Sequence, residues 1–172
     1  MSPNGSRVAI LVADDFEDVE LTEPRDQLME AGIATFTVGS EAGTTVEGKH
    51  GTTVEIARAA SDVSVEDFDL LMIPGGQAPE KLRLDESVLD LVRSTDEAGK
   101  PIAAICHAPL VLVSAHLLSG RRATSWKGVR DDIAQAGAET VDESVVIDGN
   151  LITSRNPDDI PDFVNAIKEK LQ

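Results

Sequence analysis

Three short apolar runs, Arg7–Ala13, Asp69–Ile73 and Ile102–Ile105, limit what this chain can fold into. Each is too short for a stable helix and too apolar to keep a solvated face, so each reads as a strand at the centre of a sheet. Helical spacing fills the intervals. Glu17–Ala31 repeats through Val19, Leu21, Leu28 and Met29 and closes at Gly32, with Pro24 expected to kink it by crowding the carbonyl of Glu20. Ala34–Gly39 reads as a second strand. Glu41–Ile56, with Gly43, Gly48 and Gly51 among Thr and Val, reads as a hairpin or looped excursion. Ser87–Ala98 and the aliphatic Pro109–Leu118 are the next helices, the second closed by Gly120. A short strand at Ala123–Ser125, a helix near Val129–Ala136, a hairpin of Ser144–Ile147 and Leu151–Ser154 about Asp148-Gly149-Asn150, and a helix from Asp159 complete the series. Strands alternating with helices predict an α/β sandwich, a mostly parallel central sheet with helices on both faces. With 172 residues, no internal repeat and no linker, one domain over residues 1–172 is expected.

Open parallel sheets bind ligands at the carboxyl ends of their strands. Three such ends are chemically marked: Asp14-Asp15-Phe16-Glu17, Pro74-Gly75-Gly76 and Cys106-His107. Though distant in sequence, they are expected to meet at one sheet edge. Cys106 is the single cysteine, so no internal disulfide is possible and a reducing, cytoplasmic setting is expected. At a sharp strand-to-helix turn a thiol is presented as a nucleophile, and the following helix should lower its pKa. The segment Asp14–Glu20 holds five acids, and one facing the thiol could shuttle a proton; composition does not select which. Gly75 and Gly76 let backbone amides approach a developing oxyanion. His107 pairs with the thiol only if the elbow is non-helical, because adjacent helical side chains diverge. His116 sits near a helix C-terminus, and His50 reads as a surface loop residue. The histidines lack metal-ligand spacing, and no phosphate-binding glycine motif occurs, so no metal or cofactor is expected.

These residues resemble the PfpI/ThiJ superfamily, the intracellular-protease and parkinsonism-associated deglycase group with a class I glutamine amidotransferase-like fold. The likeness is carried by Ala13-Asp14-Asp15-Phe16-Glu17-Asp18-Val19-Glu20, Ile73-Pro74-Gly75-Gly76-Gln77-Ala78-Pro79-Glu80 and Ala104-Ile105-Cys106-His107-Ala108-Pro109. Later stretches such as Ala123-Thr124-Ser125-Trp126 and Thr153-Ser154-Arg155 agree, so nearly the whole chain is covered. The resemblance implies a flavodoxin-like fold, Cys106 as nucleophile, Glu17 as its carboxyl partner and His107 beside it. It also implies that Glu80 orients the histidine of a neighbouring subunit in a homo-oligomer, dimer to hexamer, and that the amides of Gly76 and His107 form the oxyanion pocket. Trp126 and Lys127 depart from the Tyr-Pro of the archaeal pattern and are placed at the site mouth.

Two functions compete. The first is a cysteine hydrolase in which Cys106 attacks small carbonyl compounds or glycated adducts, as a deglycase or glyoxalase, with peptides as substrates only under the family's peptidase label. The second is a redox sensor or stress chaperone using an oxidisable Cys106. Glutamine amide transfer is excluded, because it needs a His-x-Glu after the cysteine and no histidine follows His116.

Charge narrows the partners further. Fifteen Lys and Arg stand against 31 Asp and Glu, a net charge of −16, with a pI near 4.4. Nucleic acid and anionic membranes are poor partners for such a surface. The acids are dispersed and lysine is scarce, a pattern of proteins from salt-loving organisms, where screening offsets self-repulsion. We expect the melting temperature to rise between dilute buffer and molar KCl; an unchanged midpoint would sink the halophilic reading.

Overall fold

The computed structural model describes residues 5–172. Its sheet is built from the apolar runs. β1 (Arg7–Leu11), β6 (Leu70–Ile73) and β7 (Ile102–Ile105) bury every residue except Arg7, as strands covered on both faces must. Around them lie β2 (Ala34–Gly39), β5 (Arg58–Ala59), β10 (Val146–Asp148) and β11 (Leu151–Ser154). The seven strands run in the order β10-β11-β7-β6-β1-β2-β5, with only β10 antiparallel. Register pairs Val8 with Leu70 and Ile10 with Met72, and across the next seam Leu71 with Ile102.

Alternate residues of these strands serve two apolar layers. Ala9, Leu11, Leu71, Ile73 and Ala104 pack with α3 (Glu86–Glu97), α4 (Pro109–Ser114) and α5 (Arg130–Gln135) through Val88, Leu91, Val111 and Ile133. Val8, Ile10, Leu70, Met72 and Ile105 pack with α1 (Asp18–Glu30) and α6 (Ile160–Lys170) through Leu21, Leu28, Phe163 and Ile167. The result is the flavodoxin-like three-layer sandwich expected. Strand order reverses between β1 and β6, and the crevice above such a reversal is where this class of sheet holds ligands.

Several expectations change in detail. α1 runs unbroken through Pro24 and buries Leu21, Pro24 and Leu28 together with Glu20. Val19 and Met29, assigned to its apolar stripe, are 36% and 57% exposed. The looped excursion is a two-stranded sheet of β3 (Thr45–Glu47) and β4 (Thr53–Glu55). A short helix that apolar periodicity could not reveal, α2 (Ala78–Leu82), follows the glycine pair. The strand expected at Ala123–Ser125 is β8 (Arg122–Ala123), which pairs with β9 (Glu139–Thr140) in a separate sheet.

α4 stops at Ser114 rather than reaching Leu118, because His116 turns left-handed at φ 61°. The His116 amide then bonds to the Val113 carbonyl and the Leu117 amide to that of Leu112, a Schellman cap normally built on glycine. A non-glycine residue is disfavoured in this conformation. His116→Gly should therefore raise unfolding stability by about 0.5–1 kcal/mol, the loss of strain exceeding the added freedom of the unfolded chain. Urea titration measures this; a destabilised variant would assign His116 a contact worth more than its strain.

Candidate active site

The three marked strand ends do converge, and backbone hydrogen bonds hold them together. The Glu17 amide donates to the Gly75 carbonyl (3.1 Å) and the Gln77 amide to the Asp15 carbonyl (2.8 Å). Gly76 is left-handed at φ 80°, and a Cβ there would fall 2.4 Å from the Glu17 nitrogen. The Cys106 amide donates to the Ser154 carbonyl (3.0 Å), and the Cys106 carbonyl accepts from the Trp126 amide (2.9 Å). Cys106 itself sits at φ 66°, a strained conformation for a side-chain-bearing residue, so the chain turns sharply between β7 and α4. This non-helical elbow satisfies the condition set for His107. Its Nδ1 lies 3.1 Å from the Cys106 Sγ, and its ring stacks on Trp126 with centroids 6.3 Å apart.

Glu17 is not at the sulfur. It is the residue before α1, with extended backbone, and its carboxylate reaches Lys49 (3.3 Å) and His50 (3.4 Å) at the rim. His50, expected as a plain surface residue, is exposed but joins this ion cluster. The carboxyl that faces the thiol belongs to Glu20, one turn into the helix and fully buried. Its Oε1 accepts the Gly75 amide at 2.9 Å, while Oε2 is buried with no conventional partner among the described residues. A Cβ at Gly75 would meet Glu20 Oε1 at 2.5 Å and Cys106 Cβ at 2.8 Å, so glycine is what lets the two side chains close over this strand end. Sequence held one signal for Glu20. It lies four and eight residues before Pro24 and Leu28, on the face that α1 buries.

Electrostatics also differ from expectation. Burial, reinforced by the Glu20 charge, pushes the Cys106 thiol up to about 12, although the Gly76 and His107 amides facing the sulfur favour its anion. The six-residue α4 does not reverse this, because desolvation opposes the charged form more strongly than a short helix favours it. Burial likewise pushes Glu20 from an ordinary 4.5 up to about 8, against the pull of the Gly75 amide. The two groups share protons as a pair, since two buried negative charges in contact are unfavourable. His107 is held below its usual value chiefly by burial, so its imidazole is neutral at pH 7 and free to accept a proton at Nδ1. Glu80 opposes that shift from the exposed first turn of α2, but makes no hydrogen bond to His107 within the chain.

Asp18 anchors the rim. Burial disfavours its charge, but hydrogen bonds from the Thr52 side chain and the His50 and Thr52 amides outweigh this and hold its pKa low. The β3–β4 loop carrying Lys49 and His50 is thereby tied to the start of α1. Among the described residues, no three His, Cys, Asp or Glu side chains group as metal ligands.

Two measurements follow from the buried pair. Between pH 4.5 and about 8 the folded protein keeps the Glu20 proton that the unfolded chain loses, so stability falls as pH rises through that window. Glu20→Gln removes this dependence, and its stability relative to wild type should climb across the window and level off above it. The same variant removes a negative charge from beside the sulfur, so the pH midpoint for alkylation of Cys106 by iodoacetamide should drop by about one unit or more. A midpoint unchanged or raised would mean that Glu20 and the thiol are not coupled.

Known proteins carry the same architecture. A family model described as the DJ-1/PfpI family matches residues 6–170. A deglycase from Pyrococcus abyssi is 44% identical over 166 residues, covering 94% of this chain and 99% of that protein. The Bacillus subtilis protein YraA, which carries a provisional cysteine-protease name, is 44% identical over 157 residues, covering 91% of this chain and 93% of its own. Drosophila melanogaster DJ-1beta superposes with a TM-score of 0.90 at 32% identity, covering 99% and 91% of the two chains. A protein from Anabaena variabilis with DJ-1/ThiJ/PfpI-like and ferritin-like domains superposes at 0.95 with 38% identity; this chain spans 96% of itself but 48% of that two-domain protein. With its family pattern matched from Ser6 to Lys170 and its sheet superposed on solved members, the chain belongs to the DJ-1/PfpI family.

Proposed function

We propose that this protein is a thiol-dependent hydrolase of small reactive carbonyls, a deglycase or glyoxalase-like enzyme in which Cys106 is the nucleophile. The observation that carries the reading is the 3.1 Å contact between Cys106 Sγ and a neutral His107 Nδ1. A thiol held near 12 is not a standing thiolate, so its proton must leave as the sulfur attacks. His107 accepts it as general base while the carbon–sulfur bond forms. The carbonyl electron pair moves to oxygen, two bonds from the sulfur through the attacked carbon, where the Gly76 and His107 amides that face Sγ can stabilise it. Glu20, also beside the sulfur, holds its proton at neutral pH and can deliver or withdraw it as the adduct rearranges. For a ketoaldehyde the adduct carbon gives up its proton and the neighbouring carbon gains one, leaving a thioester on Cys106. Water then breaks the carbon–sulfur bond and returns the thiol, so that in sum water is added, the aldehyde carbon becomes a carboxylate and the neighbouring ketone an alcohol.

Access favours small substrates. Cys106 is only 7% exposed, and the Trp126 ring lies against His107, so a folded polypeptide cannot bring a peptide bond to the sulfur without opening the mouth. Deglycase names among relatives of about 44% identity agree with this choice. We also infer that a second copy completes the site. Glu80 is exposed beside a His107 whose Nε2 has no hydrogen bond among the described residues, and Leu84, just past the same helix, is 84% exposed. A neighbouring subunit docked there would cover Leu84 and could bring its own Glu80 to His107.

Cys106→Ser should abolish consumption of methylglyoxal and release of the amine from a glycated amino acid, while labelled casein is cleaved by neither protein. His107→Ala should lower kcat about a hundredfold or more with a smaller change in KM. Equal turnover by wild type and Cys106→Ser would reject catalysis. Peroxide oxidation of Cys106 to the sulfinate, found with no carbonyl turnover, would favour the sensor, for which a protonated Glu20 beside the sulfur is equally suited.

A further inference from the structure

Beside the thiol lies a cluster of positive charge that the chemistry above does not use. A cavity of about 180 Å³ is lined by Trp126, Lys127, Arg130, Asp142, Arg155 and Asn156. Both of its walls hang from Cys106. Trp126 donates its amide to the Cys106 carbonyl, and Ser154, which accepts the Cys106 amide, immediately precedes Arg155. Trp126, which lines the cavity, also stacks on His107, whose Nδ1 touches the sulfur, so the cavity adjoins the elbow.

The cations here are unevenly satisfied. Arg155 is held firmly: Asp159 accepts its Nε and Nη2 at 2.9 Å each, and Asp142 accepts its Nη1 at 3.1 Å. Arg130 is not. Its Nη2 makes only long contacts, 3.3 Å to Asp142 and 3.4 Å to the Ser125 carbonyl, and its Nε is buried without an acceptor among the described residues. Lys127 Nζ lies 5.7 Å from the Trp126 ring centre and has no carboxylate partner among the described residues. Asp142, which straddles the two arginines, has a side chain 66% exposed. An exposed internal carboxylate thus occupies a place between two guanidinium groups, in a cavity that Lys127 also lines. Arginine forks match carboxylates in shape as well as charge. On a chain of net charge −16, an anion approaching most other faces is repelled, so a local excess of cation at the mouth selects where it can land.

We propose that this cavity is a carboxylate subsite: Arg130 and Lys127 hold a carboxylate on the substrate, which takes over the contacts of Asp142 while the carbonyl lies at Cys106. The proposal rests on the reading of Cys106 as a carbonyl nucleophile for its catalytic consequence, but the binding itself does not depend on turnover. It narrows the substrate class to carbonyl compounds and adducts bearing a carboxylate close to the reacting carbon.

Trp126 is the single tryptophan, so its emission reports occupancy of the cavity directly. Glycolate, which carries the carboxylate but no electrophilic carbonyl, should change that emission saturably, and its neutral amide glycolamide should not. Arg130→Gln should weaken apparent glycolate binding about tenfold, and Asp142→Asn, by removing the internal competitor, should tighten it several-fold. In turnover, the ratio of kcat/KM for glyoxylate to that for methylglyoxal should fall in Arg130→Gln and rise in Asp142→Asn. Opposite shifts separate a ligand site from a structural ion pair, whose loss from either side would act in one direction. Equal responses to glycolate and glycolamide, or shifts of the same sign in both variants, would overturn the subsite, as would tighter binding of inorganic phosphate than of glycolate. A protein that turns over methylglyoxal but shows no carboxylate preference retains the proposed function and loses the subsite. One that binds glycolate selectively yet turns over no carbonyl does the reverse.

Discussion

A side chain at position 75 would have nowhere to go. Glu20 closes on the strand end from one side and Cys106 from the other, and the Gly75 amide is committed to the Glu20 carboxyl. Everything distinctive about the site follows from this three-way contact. It forces a carboxyl into apolar surroundings and sets it against a thiol, so both groups hold their protons far above their ordinary ranges. It also fixes the β6 turn against the β1 turn, through the reciprocal bonds of Gly75 with Glu17 and of Asp15 with Gln77. The energetic cost of burying the carboxyl is borne by the sheet, whose strands are covered on both faces and hold their ends immobile.

The chemistry that results differs from that of a thiol activated in advance. A standing thiolate would need solvent or a positive charge beside it, and this sulfur is buried, with carboxyl groups as its charged neighbours. What lies within hydrogen-bond reach of the sulfur is a neighbouring imidazole, brought there by the left-handed turn at Cys106. Strain at one residue thus converts a sequence neighbour that would diverge on a helix into a side chain in hydrogen-bond contact. The rim adds a second layer of control. Glu17 contacts Lys49 and His50 near the start of α1, while Trp126, Lys127, Arg130 and Arg155 line a separate cavity beyond the elbow. The first group pairs a carboxylate with a lysine, and the second keeps cations that are incompletely paired, so the two are chemically distinct.

Much of the architecture was legible in the residues. The uninterrupted apolar runs of β1, β6 and β7 are a local signature of strands with no solvated face, and the glycines and prolines after them mark where the chain must turn. Errors collected where the signal was weak. In α1 the apolar spacing points through Val19 and Met29, because a buried glutamate and a buried proline do not look like core residues. In α4 the aliphatic run continues past Ser114, and histidine at 116 gives no hint of the left-handed cap that a glycine there would announce.

By itself, then, the order of residues determined the class of sheet, the three loops that meet at one edge of it and the place of the lone cysteine at a strand end, since each depends on short-range pattern: apolar runs and turn formers. Which of five acids faces the sulfur was decided only by tertiary structure. The choice depends on where α1 begins and how it is rotated against the sheet, and a shift of three residues carries a carboxylate from the solvated rim to the buried floor. The protonation of the pair was decided there too, because desolvation and proximity are properties of the packed interior and leave no mark on the order of residues along the chain.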